Sequence, residues 1–401
     1  VVGAFLFQFC VVGPVMAFGV FQDFYLSNFL KSYSASDISW IGSIQLFLDL
    51  GCGAIAGRLY DLGYCRTVLI CGPSIFVFRQ DIRDQLRFTT YYICSFFMLS
   101  ITQPGRYYQV VFLSQGLGMG TGVALIFVPI CTLVSQHFKA RKALAMGILS
   151  SSAPVGGVIF TIILNQMIHH GPGFAWAVRA AAFLTAACFV IANFLITLLP
   201  PPVSDSRPTR GSANKLYSLA LLAGFIAQLG TFFPTFYLQT FAQSHNFSDS
   251  LSFYAPVILN ASTVFGRIIP GFFADQWGAL EVYIACVGAN GLVGFVMLSS
   301  GHTAGLISFS ILFGFFFGST IALYIPVIVG LVPQNADMGK IIGIAVLPVG
   351  VASLIGTPIA GAILGPQLVW SRGIYFASVS VFGSSDYVTN HPRRVPWSLL
   401  P

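Results

Sequence analysis

Charge is what this sequence lacks. Of its 401 residues, 12 are acidic and 19 basic, 8% in all, where a water-facing surface needs about a quarter. That deficit excludes an ordinary soluble domain. The eight cysteines (Cys10, Cys52, Cys65, Cys71, Cys94, Cys131, Cys188 and Cys286) mostly fall inside apolar runs. They show neither metal-ligand spacing nor a paired extracellular pattern, which excludes a zinc site or a disulfide framework and leaves them as packing residues. The formal net charge of +7 comes without any basic cluster interleaved with aromatics, so a nucleic-acid partner is excluded too. Catalytic constellations are also missing. Ser150-Ser151-Ser152 has no Gly-x-Ser-x-Gly context, and His169-His170 has no further ligands at metal spacing. The alternate glycines from Gly116 to Gly122 follow no strand and precede no Lys-Ser, so they are not a nucleotide loop; they form small-xxx-small pairs for helix packing. No enzyme activity, cofactor or metal is expected.

What the chain has instead is apolar length. Hydrophobic residues make up 56% and the mean hydropathy is +0.83, so lipid is the main solvent. A span needs about 20 mostly apolar residues. The pattern predicts an all-α membrane protein with twelve spans, near 1–22, 38–57, 67–103, 107–133, 143–168, 174–199, 215–241, 251–273, 280–300, 304–332, 340–364 and 367–384. A Pro- and Ser-rich cytoplasmic linker, residues 200–214, divides it into two six-helix halves, 1–199 and 215–401. Lys and Arg set the orientation. With the N-terminus inside, the inner side collects Arg58, Arg66, Lys139, Arg141, Lys142, Arg207, Arg210, Lys215, Arg267 and Lys340, and the outer side only Lys31, Arg106, Arg179 and Arg372. Both termini are then cytoplasmic, and the plasma membrane is the expected location. The sequon Asn246-Phe247-Ser248 falls on the outer side, close to the membrane.

Three places are irregular. The chain starts at Val1 inside an apolar span with no visible signal peptide, and reads as truncated at its N-terminus. The third span is interrupted by Arg79-Gln80-Asp81-Ile82-Arg83-Asp84-Gln85-Leu86-Arg87. Each charge there costs about 2.5 kcal/mol or more at the bilayer centre, so residues 79–94 read equally as an added loop or a retained intron. The twelfth span fades after Ser385.

One phrase occurs twice: Gly57-Arg58-Leu59-Tyr60-Asp61-Leu62-Gly63, and Gly271-Phe272-Phe273-Ala274-Asp275-Gln276-Trp277-Gly278. Each copy sets Asp four residues after Gly where the second span of a half leaves the membrane. A repeat spanning half the chain implies two pseudo-symmetric bundles, the architecture of a transporter. With this phrase the chain resembles the major facilitator superfamily. Ile38-Ser39-Trp40-Ile41-Gly42-Ser43, Arg141-Lys142-Ala143-Leu144-Ala145-Met146-Gly147-Ile148 and Gly356-Thr357-Pro358-Ile359-Ala360-Gly361 resemble its fungal monocarboxylate-porter-like family. Animal members couple lactate to protons through a Lys in the first span and an Asp–Arg pair in the eighth. The matching positions here are Met16, Thr263 and Arg267, so only the Arg is kept and proton–lactate symport is not implied.

Several residues carry the functional expectation. Gly57, Asp61 and Arg66, and in the second half Gly271 and Asp275, form a conformational latch: the Asp accepts hydrogen bonds from a neighbouring helix N-terminus or pairs with Arg66. Arg267 is the candidate contact for an anionic substrate, because an intramembrane Arg is tolerated only beside water or a partner; the alternative is a snorkelling Arg that only sets topology. Asn260, two turns away on the same face, would offer hydrogen bonds deeper in the same cavity. Asp49, inside the second span, is the proton-coupling candidate, the alternative being a neutral acid bonded to a neighbouring helix. Gln8, Asn165, Gln166, Gln228, Gln239 and Asn290 are explained mainly by interhelical hydrogen bonding. Pro129, Pro154, Pro234, Pro326 and Pro348 should kink their spans. The expected activity is secondary active transport of a small organic acid or amphipathic metabolite by alternating access, with protons as a coupling ion, leaning to efflux of a fungal secondary metabolite. The alternatives are uptake of a monocarboxylate or vitamin-like nutrient, or an inactive membrane protein from a defective gene model.

Overall fold

In hydrocarbon the backbone must satisfy its own hydrogen bonds, and a helix does so within one segment. The computed structural model describes residues 1–30, 35–51, 82–102, 112–138, 142–196, 215–332, 338–365 and 369–390, and there the chain is helical almost throughout. The α-helices are α1 (Val2–Met16), α2 (Phe18–Phe24), α3 (Ala35–Gly51), α4 (Ile82–Ser100), α5 (Gly120–His137), α6 (Lys142–His169) and α7 (Phe174–Leu195). After residues 197–214 come α8 (Lys215–Thr231), α9 (Phe233–Ser244), α10 (Asp249–Trp277), α11 (Ala279–Val296), α12 (Thr303–Gly330), α13 (Met338–Leu364) and α14 (Trp370–Asn390). A π-helical stretch, Phe112–Met119, leads into α5. Among the described residues, 9 helical runs are long and apolar enough to cross a membrane.

Helix ends follow local chemistry. Ser248 caps α10, its hydroxyl accepting the Leu251 N–H at 3.3 Å, so the sequon's serine is a helix cap. Gly278, at φ 99°, separates α10 from α11 in a conformation that disfavours a Cβ. The rods α1–α2 and α8–α9 are each broken once, at Ala17 and Phe232. Pro14 precedes the first break, and Pro234 follows the second in the first turn of α9, within the apolar run Leu216–Ser244.

Two irregular regions look different in three dimensions. Residues 82–94 belong to α4, and Tyr92 is wholly buried against α1. The last helix does not stop at Ser385 but runs to Asn390. Residues 79–81, the linker 200–214 and the first copy of the repeated phrase lie outside the described residues.

The packing before residue 197 matches the packing after 214. In the first set α1 lies on α6 and α7, α3 on α5, and α4 on α7. In the second, α8 lies on α13 and α14, α10 on α12, and α11 on α14. The main contacts between the sets are α6 with α10 and α3 with α13.

Prolines decide where several helices bind one another. A helical proline has no N–H, so the carbonyl four residues earlier loses its donor, and in a dry interior that carbonyl must find another. Pro14 frees the Cys10 carbonyl, and the Tyr92 hydroxyl of α4 donates to it at 3.3 Å. Pro270 frees the Gly266 carbonyl, and Ser319 of α12 donates to it at 3.0 Å. Pro154 frees the Ser150 carbonyl, and Arg267 Nη1 of α10 donates to that one. The first two bonds join helices within one set; the third joins the two sets.

α10 and α12 meet backbone to backbone. A Cβ on Gly266 would strike the Phe315 carbonyl, one on Gly314 the Leu259 carbonyl, and one on Gly318 the Thr263 carbonyl. Thr263 turns toward this contact, its hydroxyl donating to Leu259 and Gly314 carbonyls at 2.9 and 3.0 Å. Gly266→Leu should therefore lower stability by about 1–3 kcal/mol through overpacking, read as a lower unfolding midpoint of the purified protein. Gly301→Ala, at a position with open space around it, should leave the midpoint unchanged. Equal midpoints for both variants would disprove the close contact.

Candidate functional site

α6 and α10 run antiparallel with little between them, and the second copy of the repeated phrase explains how. Gly271 lies on the Ala143 carbonyl and Gly147 on the Arg267 carbonyl; a Cβ at Gly147 would overlap that carbonyl, and one at Gly271 would fit only tightly. This proximity brings Asp275, one turn beyond Gly271, to the start of α6. Its carboxylate accepts the Ala143 N–H at 3.1 Å and the Leu144 N–H at 3.0 Å. α6 begins at Lys142, so both are first-turn donors without an intrahelical partner. A carboxylate there also meets the positive end of the helix dipole. Gly271 and Asp275 thus act together, the glycine giving the approach and the aspartate the bond. Gly57, Asp61 and Arg66 lie outside the described residues.

Further along the seam is a cavity of about 110 Å³ lined from both sets of helices. Gln8, Asp49, Gln228 and Arg267 supply its polar wall, and Met16, Phe127, Cys131, Phe232 and Tyr283 part of the rest. Arg267 is 2% exposed and Asp49 4% exposed. Arg267 therefore does not snorkel to the surface. It donates to the Ser150 carbonyl through Nη1, while its Nε and the Asp49 Oδ1 have no hydrogen-bond partner. Among the described residues the two form no ion pair, although they line one cavity. A buried charge without a pair is expensive, so this wall is arranged to meet water or a ligand rather than itself. The sequence marked the two residues separately; the fold brings them together. Gln228 donates to Ser353 Oγ at 2.9 Å, the interhelical bond expected of such a residue, whereas the Gln8 Oε1 is unpartnered.

Asn260 enters a different space. Seven helical residues cover about 10 Å, and that distance carries it past Met16 into a second cavity of about 270 Å³. Met16 lines both cavities. Gln239 lies in the second, and so does Gln22, which pattern reading missed because it falls where the first apolar run ends. Its neighbour Asp23 was the available signal, since two polar side chains in succession before Phe24 are unusual for a lipid-facing end. Asn290 is buried in α11 with both amide atoms unpartnered and lines neither cavity.

The sequence profile of the Major Facilitator Superfamily matches residues 86–335. The chain is 35% identical to the aspyridones efflux protein apdF of Emericella nidulans over 377 residues, 94% of this chain and 73% of that protein. It is 35% identical to the agnestins efflux protein AgnL12 of Paecilomyces divaricatus over 392 residues, 96% of this chain and 84% of that one. The fujikurins efflux protein of Gibberella fujikuroi is 33% identical over 372 residues, 91% of this chain and 75% of that protein.

The seam's bonds can be removed one at a time. Asp275→Ala deletes the bonds to the α6 N-terminus, and Pro154→Ala returns a helical donor to the Ser150 carbonyl, releasing Arg267. Each bond involves a charged group and is worth about 1.5 kcal/mol or more, so Pro154→Ala should raise the labelling rate of Cys131 about tenfold and Asp275→Ala, which loses two such bonds, by more. The measurement is maleimide labelling of a variant that keeps Cys131 as its sole cysteine. Unchanged rates in both variants would show that these bonds do not hold the seam shut.

Proposed function

Because the chain belongs to the major facilitator superfamily, we propose that it is a secondary transporter that exports a fungal secondary metabolite by alternating access. It is a multi-pass integral membrane protein that moves a small molecule. The observation that carries the mechanism is the cavity between the two helix sets, with Asp49 and Arg267 both buried in its wall and unpaired with each other. Membership of this superfamily assigns it transport rather than catalysis. The relatives named for efflux of aspyridones, agnestins and fujikurins favour export of a comparable product over nutrient uptake.

In this reading the chain has twelve spans in two six-helix bundles, 1–199 and 215–401, joined by a cytoplasmic linker. The matched packing of the two sets supports that symmetry, the bias of Lys and Arg supports cytoplasmic termini, and export from the cell calls for the plasma membrane. Arg267 takes the anionic group of the cargo through its free Nε. Asp49 carries the coupling proton, since a carboxylate buried in the wall of a small, mostly apolar cavity is costly to charge while that cavity is dry. Asp275 closes one end of the seam, and Asp61, placed by the repeat at the equivalent point of the first half, would close the α3–α13 contact. The Thr263 hydroxyl is taken up by the Leu259 carbonyl of its own helix and the Gly314 carbonyl of α12 and takes no part, in keeping with the departure from the lactate pattern. The kinship with monocarboxylate porters concerns fold and Arg267, not cargo.

The cargo is found by comparing metabolites retained in cells of a deletion strain with those of its parent. Uptake of that compound into inverted vesicles then tests the residues. Arg267→Ala should reduce uptake tenfold or more, because a hydrogen bond to a charged group is worth about 1.5–3 kcal/mol. Asp49→Asn should abolish acceleration by a pH gradient but spare exchange at equal pH. If Arg267→Ala transports normally, the anion site is elsewhere; if Asp49→Asn still responds to the gradient, the proton is carried by another group.

A further inference from the structure

The second cavity is as much a built site as the first, with different chemistry. Gln22 on α2 is 6% exposed and Asn260 on α10 is 3% exposed. Gln22, Asn260 and Thr235 of α9 line this cavity, and the Gln22 Oε1, the Asn260 Oδ1 and the Thr235 Oγ1 are buried without a hydrogen-bond partner. A buried polar atom left unpaired is costly, and three such residues from both helix sets share one space. Amide oxygens only accept, so whatever completes them must donate. Asp23 also lines the cavity. Phe236, Phe253 and Pro256 supply an apolar wall.

We propose that this cavity is a separate subsite for the neutral, hydrogen-bond-donating part of the cargo. The proposal rests on the reading that Arg267 takes the acidic group. Asn260 and Arg267 share one face of α10 about 10 Å apart, and Met16 forms wall in both cavities. The cargo class is then an elongated amphipathic acid: an acidic group at Arg267, an apolar stretch past Met16, and a hydroxyl or amide N–H about 10 Å away at Gln22, Thr235 and Asn260.

Two probes separate the subsites: decanoate, and 10-hydroxydecanoate, which adds a donor at the far end. Binding is measured on the purified full chain in nanodiscs, with protein-free nanodiscs subtracting partition into lipid. The wild type should prefer 10-hydroxydecanoate about five- to tenfold, the range for one or two net hydrogen bonds. Gln22→Leu combined with Asn260→Leu should bring that ratio to about one, and Arg267→Gln should weaken both probes tenfold or more while the ratio persists. Should the double variant fail to fold, Gln239→Leu, at a half-buried position of the same wall, should lower the ratio in its place. Equal affinity of the wild type for both probes, a ratio that survives the substitutions, or no binding of either probe would overturn the subsite. If the ratio collapses in the double variant but Arg267→Gln changes neither affinity, the subsite stands and the anion site at Arg267 fails.

Discussion

The Ser150 carbonyl has no donor within its own helix, because the residue that would supply one is Pro154. In water that would matter little. In a dry interior the carbonyl needs a partner, and Arg267 of α10 provides it. This bond fixes the register of α6 against α10, and the other features of the seam depend on that register. Gly147 then lies on the Arg267 carbonyl, Gly271 on the Ala143 carbonyl, and Asp275 reaches two free N–H groups at the start of α6. Tyr92 and Ser319 answer Pro14 and Pro270 in the same way, so one rule places three helix contacts.

The bond also explains how an arginine stays inside the protein. One guanidinium nitrogen is held by the carbonyl while Nε remains unpartnered beside the cavity. An Asp49–Arg267 ion pair would hold the site in one state. On the proposed reading, keeping the two unpaired on one wall leaves each open to a mobile partner, an anion for Arg267 and a proton for Asp49. The same contrast between satisfied and unsatisfied groups marks the second cavity. Most buried hydroxyls in the chain bond a carbonyl of their own helix, as Ser151 and Ser152 do, whereas Gln22, Thr235 and Asn260 do not complete their bonds.

Much of the fold could be read from the chain because lipid imposes one simple rule: long apolar runs become helices. The Gly271-to-Asp275 phrase was legible for the same reason, since a four-residue spacing on a helix puts both residues on one face. Arg267 and Asp49 stood out through their cost in a membrane. Their meeting in one cavity was not legible, because it depends on how α3 and α10 pack. Asn260 shows the limit from the other side. Its helix face was read correctly, yet the same face crosses two cavities with Met16 on the wall of both. Met16 itself drew notice only as a departure from the lactate pattern. The charges between Arg79 and Arg87 marked an irregular stretch; residues 82–94 are helical and Tyr92 serves the Cys10 carbonyl, a partner 82 residues away that a run's charge does not reveal.

If α6 and α10 must part for cargo to pass, a covalent bond across them has to stop transport. Gly271 faces Leu144 closely enough to place one. In a chain without other cysteines, Leu144→Cys with Gly271→Cys, oxidised to a disulfide, should lose vesicle uptake and regain it on reduction, while each single-cysteine variant shows the same uptake with and without the oxidant. Full uptake by the cross-linked protein would contradict a seam that opens.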